Sequence, residues 1–235
     1  MAGENPNRYC VVISQEQQGH DKAALLDAAG LPAGSEIRVA FMEGDEGLRE
    51  RVKAVAERWT APGMADLTFQ WVDQGPSEIR IRFEQGNGSW SYLGTQCRDI
   101  PDDEPTMNYG WLTPDSDEDE VQRVVLHEFG HALGLIHEHQ NPQHAIQWNE
   151  PAVIADLSGP PNNWDEATIR SNVLDHYSTD EVKEATDVDP ESIMMYPIPA
   201  AWTLDGFSAD LNDDLSEDDV AFIKRIYGEE TAYKA

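Results

Sequence analysis

The segment from His127 to His137 reads His-Glu-Phe-Gly-His-Ala-Leu-Gly-Leu-Ile-His, and no other stretch constrains the folding of the chain as tightly. His127 and His131 are four residues apart. On an α-helix that spacing puts both imidazoles on one face, one turn and about 6 Å of rise apart. Two rings so placed converge on one metal ion at about 2.0–2.1 Å per bond. Gly134 follows three residues after His131. Glycine adopts the left-handed conformation at little cost and commonly ends helices, so a turn there brings His137 back toward the same point. Three nitrogen ligands leave a fourth position open, the arrangement of a catalytic zinc site and not of a closed structural one. Glu128 lies one step round the helix, beside the ion but not on it, where a base for an activated water belongs. Phe129, Leu133 and Leu135 are apolar and anchor the helix in a core. The His-Glu-x-x-His pentad alone recurs by chance; Gly134 and His137 make the longer pattern specific.

Other residues compete for these roles. His139 is an alternative third ligand, but its distance from Gly134 favours His137 and leaves His139 at the rim of the site. Glu150 as third ligand makes a different class of zinc site and leaves Gly134 and His137 without a purpose. His20, His144 and His176 have no partner at metal spacing and read as surface or packing residues.

The chain has 235 residues, 45 acids against 16 bases and a net charge of -29. Phosphate binding needs a basic surface, so no nucleic-acid partner is expected. The acids read as a solvated shell, as adaptation to high salt, or as calcium sites. Asp115 to Glu120 and Asp213 to Asp219 are the acid-rich clusters, and neither has the ligand spacing and central glycine of an EF-hand, so Ca2+ is weakly supported. No apolar run approaches the roughly 18 residues of a membrane span, so no membrane partner is expected. Met1 to Cys10 has no apolar core of a signal peptide. The two cysteines, Cys10 and Cys97, are either bonded to each other or free, and neither belongs to a zinc knuckle.

Periodicity gives the order of elements. Tyr9 to Ile13 reads as a strand and Asp21 to Ala29 as a short helix. Ile37, Val39 and Phe41 alternate in a strand over Glu36 to Met42. Leu48, Val52, Val55 and Trp59 recur at helical spacing. Leu67 to Val72, Glu78 to Phe83 and Thr106 to Leu112 read as strands, and Gly86 to Gly94 as a turn-rich stretch. Ser116 with Asp119 three residues on predicts the cap of a helix running from about Glu118 to near Gly134. Prolines punctuate the rest, with a short helix at Thr168 to Tyr177 and a last one capped by Ser216 and ended by Gly228. The fold class is α+β, with the histidine helix at mid-chain between two lobes.

His-Glu-x-x-His-x-x-Gly-x-x-His is the signature of the metzincin peptidases. Ser192-Ile193-Met194-Met195-Tyr196 resembles the methionine turn of their astacin-like branch, Ser-x-Met-x-Tyr, and Trp90-Ser91-Tyr92-Leu93-Gly94 resembles a Trp-Ser-x-x-Gly segment before the edge strand. The resemblance spans about residues 35–228. It implies a twisted, mostly parallel sheet with two long helices in the N-terminal lobe, an irregular C-terminal lobe with a terminal helix, and a cleft between. It implies one catalytic Zn2+ on His127, His131 and His137, with Glu128 as general base. Met194 would pack beneath the metal, and Tyr196 would approach it to stabilise the tetrahedral intermediate. The substrate would be a protein or peptide, and the setting extracellular, though nothing in the chain excludes the cytoplasm.

The departures are specific. Astacins usually continue after the third histidine with Glu-Gln-Ser-Arg-Pro-Asp-Arg, where this chain has Glu138-His139-Gln140-Asn141-Pro142-Gln143-His144. Glu138 matches the glutamate that helps anchor the mature N-terminus, yet some 30 residues precede the first clear strand. Residues 1–34 are therefore an extension, a pro-segment or an extra strand. The catalytic domain spans 35–228, its N-terminal lobe ending near 134, and 229–235 is a tail. Cys10 suggests a latency device, a thiolate in the open metal position. A monomeric zinc endopeptidase is the leading reading; the alternative is a non-catalytic, zinc-stabilised or toxin-like binding protein, against which Glu128 speaks.

Overall fold

The computed structural model describes residues 9–13, 31–142, 146–177 and 187–228, with the backbone alone for Val11–Ile13. The predicted helix at Asp21 to Ala29 lies outside the described residues. Six strands form one sheet: β1 (Val11–Ile13), β2 (Ser35–Phe41), β3 (Leu67–Trp71), β4 (Ile79–Arg82), β5 (Ser89–Tyr92) and β6 (Met107–Tyr109). Their spatial order is β1-β5-β6-β4-β2-β3. Every pairing is parallel except that of β5 with β6. Parallel neighbours need crossover connections, and helix α1 (Glu46–Ala56) supplies the one between β2 and β3. Asp45 accepts from the Leu48 backbone N–H at 3.1 Å and starts that helix. Its inward face is Leu48, Val52 and Ala56. A 3-10 turn over Glu57–Thr60 then buries Trp59 completely. The Trp59 indole donates to the Leu126 carbonyl at 3.0 Å, tying this layer to the histidine helix.

The histidine helix α2 spans Glu118–Ala132. Ser116 does not cap it. Asp117 holds the cap position without a side-chain bond to the helix, and Ser116 Oγ instead accepts from the Thr113 backbone N–H at 2.9 Å. The stretch expected to be only turns contains β5. There the inward residues are the small polar Ser89 and Ser91, while Trp90 and Tyr92 are partly exposed. The usual apolar-in pattern is inverted, which hid the strand. Ser89 Oγ is satisfied inside by the Gly110 backbone N–H at 3.1 Å.

The C-terminal half is more helical than its prolines suggest. Helix α3 (Glu150–Leu157) carries Pro151 in its first turn, where no intrahelical N–H is required. Helix α4 (Glu166–Ile169) passes into a π-helical turn over Arg170–Leu174, in place of the single helix expected at Thr168 to Tyr177. Helix α5 (Glu217–Tyr227) has the predicted Ser216 cap, a reciprocal box with Asp219. Two apolar clusters result. One lies between the sheet and helices α1, α2 and α5. The other gathers Tyr9, Ile146, Val153, Leu157, Ile169, Val173, Tyr196, Ile198 and Trp202. Met194 belongs to the first cluster and its neighbour Met195 to the second, so the turn that carries them sits at the seam. No helix among the described residues is long and apolar enough to cross a membrane.

Candidate active site

The C-terminus of α2 positions the first two histidines, and Gly134 positions the third. Gly134 has φ of 93°, a conformation that strains any side-chain-bearing residue. The Leu135 backbone N–H closes the turn on the Gly130 carbonyl at 3.0 Å, and the chain returns His137 to the helix face. The Nε2 atom of His131 then lies 3.1 Å from that of His127 and 3.2 Å from that of His137. A tetrahedral ion with bonds of about 2.0–2.1 Å holds its nitrogens about 3.3 Å apart. Among the described residues, these histidines form the one group of three or more side chains able to share a metal ion.

Protonation supports the same reading. His127 Nδ1 donates to the Ile193 carbonyl at 2.8 Å, and His131 Nδ1 to the Leu135 carbonyl at 2.8 Å. A carbonyl only accepts, so each Nδ1 carries the proton and each Nε2 presents a lone pair. Burial pushes His127 down to about 4 and His131 and His137 well below the usual imidazole range. Neutral imidazoles with converging Nε2 atoms, two of them held with the lone pair inward, fit a divalent cation.

Glu128 is fully buried, with the Cys10 thiol set against its carboxylate. Burial raises it to about 8, while the Cys10 thiol and the Arg123 guanidinium pull it back down. Arg123, one turn before His127, is bound to Glu120 through Nε at 2.9 Å and Nη2 at 2.8 Å. Met194 is buried beneath the helix, its sulfur against Gly130. Tyr196 is buried with its ring 4.3 Å from that of His137, and its hydroxyl donates to the Cys10 carbonyl.

One rival residue stands elsewhere than the sequence suggests, and the others fall within its readings. His139 is not at a rim. It is fully buried behind Tyr196, with ring centroids 4.5 Å apart, and its Nε2 donates to the Asn172 carbonyl at 2.9 Å. Glu150 is exposed and pairs with Arg170 at 3.2 Å, away from the histidines. Cys10 and Cys97 are both buried free thiols. His20 and His144 lie outside the described residues, and His176 is partly buried.

Asp219 entered the sequence reading only as the end of the acid-rich cluster from Asp213, with no role at the site. It accepts from Ser192 Oγ at 2.7 Å, the Ile193 N–H at 2.8 Å and the Ser216 N–H at 3.0 Å. It thereby fixes the loop whose Ile193 carbonyl orients His127. Glu138 accepts from Asn141 Nδ2 at 3.0 Å and the Asp189 N–H at 3.3 Å. Burial, with Asp219 and Asp189 nearby, raises its carboxyl to about 7.

No protein-family model matches the chain, and no curated protein matches it. Solved structures do. A structure of myroilysin is 42% identical, with a TM-score of 0.82, over 86% of this chain and 97% of that one. A second crystal structure of myroilysin is 36% identical, with a TM-score of 0.67, over 95% of this chain and 92% of that one. High choriolytic enzyme 1, a hatching enzyme zinc-protease from the medaka fish Oryzias latipes, shares the fold at 15% identity. Its TM-score is 0.57, over 86% of this chain and 95% of that one. With its histidine group, its sheet and these relatives, the chain belongs to the astacin family of zinc metalloendopeptidases.

Proposed function

We propose that the protein cuts peptide bonds within extended protein substrates, with Glu128 as general base and Tyr196 as a donor to the developing oxyanion. The observation that carries this is the fully buried Glu128 carboxylate, with no cation paired to it, beside the three converging Nε2 atoms. A structural zinc site has no use for such a group, which costs stability. Zinc, when bound by His127, His131 and His137, supplies Lewis acidity. Glu128 takes a proton from the attacking water as its oxygen bonds to the carbonyl carbon, and returns it to the amine as the C–N bond breaks. The Tyr196 hydroxyl already donates to a backbone carbonyl of a chain laid across the site, that of Cys10. A scissile carbonyl in the same place would receive the same bond as it gains charge. Met194 packs under the helix and leaves the chemistry to others.

Residues 1–34 act in this reading as a pro-segment, and 35–228 as the catalytic domain. Strand β1 lies parallel on β5, pairing Val11 with Trp90, Val12 with Ser91 and Ile13 with Tyr92. Without it, β5 is the edge of the sheet and free to take an extended peptide. Cys10 follows directly into the site, next to Glu128. Following the family resemblance, the mature enzyme works outside the cell as a monomer. Recovery from the culture medium and a single-chain mass in solution are the checks.

The test is digestion of casein by the zinc-loaded protein, with and without chelator, before and after limited proteolysis. Activity that needs zinc and vanishes in Glu128→Gln supports the mechanism. Wild-type rates in Glu128→Gln would remove the base assignment. A fully active untreated chain, unaffected by Cys10→Ala, would remove the pro-segment.

A further inference from the structure

The Tyr9 side chain occupies a pocket that belongs to the catalytic domain. Its ring is 5% exposed. It stacks on Trp202 with centroids 5.6 Å apart, meets Trp164 edge-on at 6.2 Å and leans on Tyr196 at 5.1 Å. Its hydroxyl donates to the Pro197 carbonyl at 3.2 Å. All these walls come from residues beyond 160, and none from the N-terminal segment itself. They are also held independently of Tyr9. The Trp202 indole donates to Asp156 at 2.7 Å, and the Asn149 N–H donates to the Trp202 carbonyl at 2.7 Å. A pocket fixed by its own hydrogen bonds keeps its shape when the occupant leaves.

Its position relative to the chemistry is set by the next residue. Cys10 places its carbonyl on the Tyr196 hydroxyl and its thiol near Glu128. Beyond Cys10 the chain runs along β5. Tyr9 therefore lies one residue from the reacting position, on the side away from β5. A substrate that lays the residues before its cleaved bond along β5 puts the residue after that bond beside Trp202 and Trp164.

We infer that the Tyr9 pocket selects substrates with an aromatic residue, tyrosine above all, immediately after the cleaved bond. This rests on the peptidase reading above. Aromatic rings prefer edge-on and offset partners of this kind, and the Pro197 carbonyl at the far end gives a phenol hydroxyl a partner. A small or charged side chain would leave the indoles without contacts or bury a charge against them.

The zinc-loaded full chain, untreated and after limited proteolysis, is given a peptide library and, separately, casein. The inference expects tyrosine, phenylalanine or tryptophan to be enriched at least tenfold over alanine directly after the cut. It expects the tyrosine-to-alanine ratio of kcat/KM to fall at least threefold in Trp164→Leu, checked for folding by circular dichroism. Trp164→Phe, which keeps an edge-on ring, should hold most of that ratio and serves alone if the leucine variant does not fold. Glu128-dependent casein cleavage without aromatic enrichment overturns the subsite and leaves the peptidase standing. Enrichment that Trp164→Leu leaves unchanged, or that Trp164→Phe abolishes outright, overturns the assignment to this pocket. No cleavage of library or casein in either preparation defeats the peptidase reading, and the inference with it.

Discussion

Replacing Glu128 by glutamine should separate stability from catalysis. The carboxyl is fully buried and sits near 8 in the metal-free protein, mainly because burial penalises its charge. Its ordinary value is 4.5. A carboxyl raised by folding favours the folded state while it is protonated. That contribution is present below about 4.5 and is lost as the pH rises through 8. The 3.5-unit gap, 8 minus 4.5, corresponds to about 5 kcal/mol at 1.36 kcal/mol per unit. That is a large share of the roughly 5–15 kcal/mol that holds a domain folded. Glutamine cannot ionise and escapes the loss. In EDTA, urea unfolding should find Glu128→Gln and wild type about equal at pH 4.5, and the variant more stable by several kcal/mol at pH 9. Zinc should close the gap, since a dication beside the carboxylate draws its pKa back down. The zinc-loaded variant should nonetheless lose about 10²–10⁴-fold in turnover. A stability difference that does not change between pH 4.5 and 9 would falsify the view of Glu128 as an acid whose charge is penalised by burial.

The histidine site is held from beneath and from the side, and both supports can be removed. In Gly130→Ala the new methyl would run into the Met194 sulfur and press on Trp59. Overpacking of about 1–3 kcal/mol outweighs the roughly 1 kcal/mol gained in helix propensity, so thermal unfolding should move down and zinc should bind more weakly. Asp219→Ala leaves the Ile193 and Ser216 N–H groups and the Ser192 hydroxyl without their acceptor. It should cost about 2–5 kcal/mol in denaturation and weaken zinc about 10–100-fold, with Asp219→Asn recovering part of each. Burial raises Cys97 from 9.0 to about 11. Its stabilising contribution is whole below pH 9 and lost as the pH climbs to 11, about 3 kcal/mol in all. The difference in unfolding free energy between wild type and Cys97→Ala should shrink over that interval and stay constant below it.

The fold was legible where burial follows a simple period. Ile37 and Val39 in β2, or Leu48 and Val52 in α1, have one face inward and announce their elements. It was hidden where the inward face is polar. Ser89 and Ser91 look solvent-facing, yet they are the buried side of β5, because the chain comes so close to Gly110 that small hydrogen-bonding residues fit there best. Ser116 misled in the opposite sense. A serine followed by an acid satisfies the local rule for a cap, but the turn at Thr113 had the stronger claim on its hydroxyl.

The site divides along the same line. His127, Glu128, His131, Gly134 and His137 lie within one segment, so helical spacing and a single left-handed residue bring them together without help from distant chain. What they meet comes from far away. Tyr9, Cys10, Asp219 and the Ile193 carbonyl reach the site through tertiary packing, for which sequence spacing has no signature. This separation has a chemical consequence. The short segment by itself brings together the three histidines able to share a metal and the glutamate proposed as base. In the proposed function the distant residues would decide when the site is open and what fits beside it, since Cys10 lies against Glu128 and Tyr9 fills the indole pocket. On the readings proposed above, reactivity is written locally in this chain, and latency and selectivity would come from the way Tyr9 and Cys10 pack on Trp164, Tyr196 and Trp202. A change to Trp164 should accordingly alter which bonds are cut without altering how zinc is bound.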